Sequence, residues 1–165
     1  MRCPVNWSAA VYSGVAARVL ATLAQIALWF VFSDALPTIL FRDARFTAAI
    51  VMGRAVLPRP ASFDWPVMLV ATLVHFALSI AYGLILVRLI SSLGPTLSLL
   101  AGAVFGLVLY AINMYGFTTV FPWFEGARDW ITVAAHLVFG IVATGVYKLL
   151  SQRQYVHAHG ATSER

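Results

Sequence analysis

GAVFGLVLYAINMYGFTTVFPWFEGARDWITVAAHLVFGIVATGVY (Gly102–Tyr147) decides how this chain folds. Two apolar runs flank an aromatic turn, and neither run carries an Asp, Glu, Lys or Arg. Extended to Thr96 and to Leu150, each is long enough to cross the roughly 30 Å of bilayer hydrocarbon at about 1.5 Å per residue. The first run holds Gly102, Gly106 and Asn113, and the second holds His136, Gly140 and Thr144. Each therefore combines closely spaced small residues with one strongly polar side chain.

Working outward, two more windows meet the same demand. The expected spans are residues 9–33, 66–89, 96–117 and 130–150, all within one integral membrane domain over residues 1–150. Residues 151–165 form a polar C-terminal tail, expected to be disordered. The N-terminal run is split by Arg18 and lacks a nearby small-residue cleavage site, so it reads as a retained span and not a signal peptide. The fold class is all-α: a four-helix transmembrane bundle with both termini on one side.

Composition agrees. Of the 165 residues, 61% are hydrophobic and 10% charged, against roughly 25% charged in a soluble domain. So few charges cannot cover a water-facing surface, and most of the surface must face the lipid bilayer. The net charge of +5 is dispersed along the chain, which argues against a nucleic-acid footprint. The one cysteine, Cys3, rules out an intrachain disulfide and reads as an incidental thiol.

Between the first two spans lies the long segment Asp34–Trp65. Within it, residues 38–52 alternate apolar groups with Arg42, Asp43 and Arg45, bounded by Pro37 and Gly53. It is too short and too charged to span, and reads as an interfacial amphipathic helix or a partly re-entrant one. The turn at Ser91, Ser92 and Gly94–Pro95 is short, so spans two and three are expected to be antiparallel neighbours. Arg2, Arg88, Lys148, Arg153 and Arg165 fall on the side of the termini, and Arg42, Arg45, Arg54, Arg59 and Arg128 on the other. The acids accompanying the second set favour cytoplasmic termini. Trp29, Trp65, Trp123 and Trp130 mark the opposite interface.

The polar residues fall in layers. Depths of about 12 Å for Gln25, 13 Å for His75, 6 Å for Asn113 and 9 Å for His136 put an imidazole or amide from every span in one slab. A deeper layer holds Arg18, Ser79, Tyr82 and Thr144. His75, Ser79 and Gly83 recur every four residues, as do His136, Gly140 and Thr144, and the two patterns superpose at a constant offset. Gly102 and Gly106 give span three a similar face. Small residues at this spacing let membrane helices approach closely, so the polar groups should point into the bundle. The matching faces suggest two related helix pairs, spans one–two and three–four.

Three uses of this layer compete. The first is interhelical hydrogen bonding, the second a small-solute or proton path. The third is haem b held between His75 and His136 in an electron-transfer subunit. No span contains an Asp or Glu, so an ordinary carboxylate relay is missing. Arg18 snorkels, bonds Tyr82, Thr144 or helix carbonyls, or binds an anion such as a lipid phosphate. No nucleophile motif or phosphate loop is present, and no metal or catalytic site is expected. Asp129 reads as the cap of span four, and Glu125–Arg128 as an i, i+3 pair.

The stretches FTAAIVMGRAVLPRPASFD (Phe46–Asp64), VHFALSIAYGLIL (Val74–Leu86), INMYGFTTVFPWFEGARDW (Ile112–Trp130) and HLVFGIV (His136–Val142) resemble a family of short bacterial membrane proteins often labelled sodium:proline symporter. The GFT…FPWF…AR turn is the most specific part. The resemblance implies a member of an uncharacterised family of bacterial membrane proteins; separately, an inner-membrane location and a homo-oligomer or a membrane partner are expected. It assigns no transport residue, and Arg18 is not part of its pattern.

Overall fold

Three polar side chains start long helices. Asn6 accepts from the Ala9 N–H at 3.0 Å ahead of α1 (Trp7–Phe32). Asp64 accepts from the Val67 N–H at 3.3 Å ahead of α3 (Trp65–Ile90), whose second residue is Pro66. Asp129 accepts from the Thr132 N–H at 2.7 Å ahead of α5 (Trp130–Gly160). Each cap satisfies an N–H that the first helical turn cannot. Between them lie α2 (Thr38–Met52) and α4 (Pro95–Ala111). The computed structural model describes residues 5–33, 35–57 and 60–160, the last eight as backbone alone. Cys3, Arg2, Arg59 and Arg165, and the side chain of Arg153, lie outside the described residues.

No strand occurs among the described residues, and four helices are long and apolar enough to cross a membrane. They make the chain an all-α, multi-pass membrane protein. Their exposed Leu, Val, Ile and Phe side chains are the lipid-facing surface such a bundle requires. The helix α5 extends past the expected boundary at Leu150. The segment Ser151–Gly160 continues α5, because Gln and Arg favour helix and no Pro intervenes.

Small residues decide which helices pair. A Cβ placed on Gly14 of α1 would sit 2.7 Å from the Ser79 carbonyl oxygen of α3, and one on Gly83 would sit 3.2 Å from the Ala10 oxygen. Between α4 and α5 the approach is closer still: a Cβ on Gly106 would strike the His136 oxygen, and one on Gly140 the Gly102 oxygen. The dominant contacts are accordingly α1 with α5, α4 with α5, and α1 with α3. Although the short turn joins α3 to α4, each packs mainly on another helix, because the glycine faces outweigh chain proximity. Lys148 of α5 fastens that turn by donating to the Ile90 and Leu93 carbonyls at 2.9 and 2.7 Å.

The looser contact between α3 and α4 leaves room on the far half of the bundle, and α2 covers one side of it. Ala44 and Ala48 of α2 pack on Val67 and Ala71 of α3. Arg45 ties down the following loop through the Val56 and Ser62 carbonyls at 2.8 and 3.1 Å. Trp123 donates its indole N–H to the Phe46 carbonyl at 2.9 Å, and Phe124 meets the Phe46 ring edge-on. These contacts carry α2 inward alongside α3.

Past Ala111 the α4 helix widens into a π turn over Ile112–Gly116, then a 3₁₀ turn over Phe117–Thr119. Arg128 supports the widening. Its Nε donates to the Met114 carbonyl at 2.7 Å, one Nη donates to Thr118 Oγ1 at 2.8 Å, and the guanidinium lies over the Tyr115 ring. Glu125 stands 3.5 Å from its other Nη. The charged residues of the aromatic turn therefore satisfy groups that a distorted helix end exposes.

Candidate functional site

α1 presents Arg18, Thr22, Gln25 and Trp29 at helical spacing, on one face. All four line a cavity of about 410 Å³ to which α1, α2, α3, α4, α5 and the aromatic turn all contribute. His75, Ser79 and Tyr82 of α3 line it too, with Asn113 of the π turn, Thr132 and His136 of α5, and Asp43 and Thr47 of α2. The remaining wall is largely apolar, including Leu78, Leu109 and Phe139.

The polar groups divide into paired and unpaired sets. One chain of hydrogen bonds joins three helices. Tyr82 Oη donates to Asn113 Oδ1 at 2.9 Å, and Asn113 Nδ2 lies 3.2 Å from His136 Nε2. His136 Nδ1 lies 2.8 Å from the Thr132 carbonyl, which can only accept, so Nδ1 carries the proton and Nε2 accepts from Asn113. A separate pair joins α2 to α3. Thr47 Oγ1 donates to the Asp43 carbonyl at 3.1 Å, and so accepts from His75 Nε2 at 3.0 Å. Both Nε2 atoms are thus engaged in hydrogen bonds within the protein.

The other set has no protein partner. The guanidinium of Arg18, the amide of Gln25, the indole N–H of Trp29 and the hydroxyl of Thr132 make no hydrogen bond or ion pair among the described residues. Trp29 is 2% exposed, so its ring packs inside the bundle. Trp65 and Trp130 are exposed. The Trp29 side of its helix face turns toward the cavity.

The deeper layer expected from sequence also separates. Tyr82 belongs with Asn113, and Arg18 and Ser79 line the same cavity as Gln25 and His75. Thr144 is fully buried against Gly102, away from the cavity, and its hydroxyl has no partner among the described residues. Gly83, Gly102, Gly106 and Gly140 lie in the helix contacts described above.

Sequence reasoning missed Asp43. No carboxylate lies in a span, but α2 brings this one to the cavity wall. Arg42 holds it, with Nε and Nη2 at 2.8 and 2.7 Å from Asp43 Oδ1. Burial pushes the carboxyl up to about 6, the neighbouring Arg42 opposes this, and Asp129 adds a further upward push. The available signal was a charge pair within an otherwise apolar, small-residue helix face.

Two measurements follow. Asn113→Leu and His136→Leu are expected to couple by about 1 kcal/mol in a double-mutant cycle, as interhelical hydrogen bonds in membranes do. His75→Leu and His136→Leu share no partner and should be nearly additive; strong coupling between them would contradict two separate networks. The second concerns pH. Between the ordinary carboxylate value near 3.8 and about 6, the folded chain binds more protons at Asp43 than the unfolded one. Stability should therefore fall as pH rises through that window and level off above it, by on the order of 3 kcal/mol. Asp43→Asn should flatten this decline in melting temperatures taken from pH 4 to 7.5, and an unchanged slope would assign it elsewhere.

Comparison with protein-family models, curated proteins and solved structures finds no match to this chain.

Proposed function

We propose that this chain is a non-enzymatic small-solute protein of the membrane, with the cavity as its binding site on a permeation path. The unpaired donors of α1 carry the reading. Buried polar groups in folded proteins are nearly always hydrogen-bonded, and those without partners need a reason. Here two such groups, the Trp29 indole N–H and the Thr132 hydroxyl, line a single hollow together with the half-buried and likewise unpaired Arg18 and Gln25. A hollow of about 410 Å³ is within the size range of small-molecule sites. A solute bearing acceptor atoms would satisfy the donors together.

The paired groups favour a second, structural role for the rest of the layer. The Tyr82–Asn113–His136 chain and the Thr47–His75 pair hold α2, α3, α4 and α5 around the hollow. The resemblance noted above supports a bacterial inner membrane as the location. The charge distribution supports cytoplasmic termini.

Native mass spectrometry of the full chain released from nanodiscs tests the binding reading. Wild type should carry a small-molecule adduct, and Ala135→Phe, which fills the wall of the cavity, should lose it. Bare polypeptide in both samples would overturn the reading.

A further inference from the structure

We infer that the cavity takes a singly charged anionic amphiphile, with its head on the Arg18 guanidinium and its body along α1 toward Trp29. The inference rests on the binding reading above and adds the class of ligand.

Charge decides the head. Among the groups lining the cavity, the cation of Arg18 has no acid beside it, whereas Asp43 already faces Arg42 at 2.7 Å. That pair balances itself, so the wall carries one uncompensated positive charge. A cationic solute would meet repulsion, and a neutral one would leave a desolvated guanidinium without a counter-charge. A doubly charged anion would bring one charge too many into a low-dielectric site. One carboxylate or one phosphodiester matches, and the planar guanidinium fork suits either.

Shape decides the body. From Arg18 the donors continue along a single helix face through Gln25 to Trp29, over about 16 Å at 1.5 Å per residue. These are donors, or in the amide donor and acceptor together, so they suit acceptor atoms on an elongated solute. Leu78, Leu109, Met114 and Phe139 supply apolar wall for its chain. The same chemistry occurs in a free fatty carboxylic acid and in an anionic phospholipid.

The test uses the full chain in phosphatidylcholine nanodiscs, with melting temperature as readout and decanoate, decanol and decylamine as probes. Decanoate at about a hundredfold excess over its dissociation constant should raise the melting temperature by about 5 °C or more. Decanol and decylamine should not. The decanoate shift should vanish in Arg18→Gln and persist in part in Arg18→Lys. A parallel arm replaces part of the phosphatidylcholine with phosphatidylglycerol. An Arg18-dependent shift there, with decanoate inert, assigns the head to a lipid phosphate and keeps the inference. Equal shifts from decanol and decanoate, or a decanoate shift surviving in Arg18→Gln, would overturn the anion class while leaving a binding cavity. No shift from any probe or lipid, together with bare polypeptide in the mass spectra, would overturn the cavity reading itself.

Discussion

Gly140→Ala is expected to lower the melting temperature more than any conservative substitution elsewhere in the bundle. The added methyl would strike the Gly102 carbonyl oxygen and approach the Gly106 backbone nitrogen at 3.0 Å, and both obstacles are backbone of another helix. Neither can rotate away as a side chain can. Relief requires α4 and α5 to separate along the face that joins them, and α5 also carries α1. Overpacking of this kind costs about 3 kcal/mol at the upper end of its usual range. For a chain of this size that corresponds to a fall of about 6–12 °C. Gly106→Ala should behave alike, since its methyl would meet the His136 carbonyl. Gly145→Ala is the control, because nothing lies within 4 Å of its added Cβ. It should be neutral or stabilising by about 0.5–1 kcal/mol through helix propensity. Equal melting temperatures for Gly140→Ala and Gly145→Ala would show that the α4–α5 approach is not closed by these glycines.

Arg18→Leu is expected to move stability the other way. A guanidinium near the middle of a span costs about 2.5–3.5 kcal/mol relative to an apolar residue on insertion scales. In this chain no ion pair or hydrogen bond within the protein offsets that cost among the described residues. The variant should therefore be more stable by about 2 kcal/mol, a smaller figure because the side chain opens on a cavity and not on lipid. It should at the same time lose any adduct held by the wild type. A gain in stability paired with a loss of binding is the usual mark of a site kept for function. Loss of stability in Arg18→Leu would instead make the arginine a structural residue. The amide and indole beside it offer a graded check, since Gln25→Leu should show the same signs with smaller size.

The helical architecture was legible because membrane burial is a local demand. Uninterrupted apolar length identifies a span, and the ends near Ala9, Pro66, Thr96 and Trp130 follow from where charges and helix-starting residues stand. Small residues four apart mark a face for close approach whatever the partner, so Gly83, Gly102, Gly106 and Gly140 could be read without knowing what they touch. Asp129 as a cap and Glu125 beside Arg128 are likewise neighbours in sequence.

What the tertiary structure decided is which polar groups meet. Depth along a span is one coordinate, and it put Tyr82 with Arg18 and away from Asn113, which it bonds. The missing coordinates are the tilt and shift of each helix and its rotation about its own axis, all set by partners distant in sequence. The sequence by itself determined four spans, their close-packing faces and the presence of polar side chains within them. Only the fold separated the histidine networks from the empty-handed donors of α1, turned Trp29 inward, and brought Asp43 to the wall of the cavity. The physical reason is that a cavity belongs to no single element. It is the space that α3 and α4 leave when glycine faces draw each to another helix, and that α2 covers without filling.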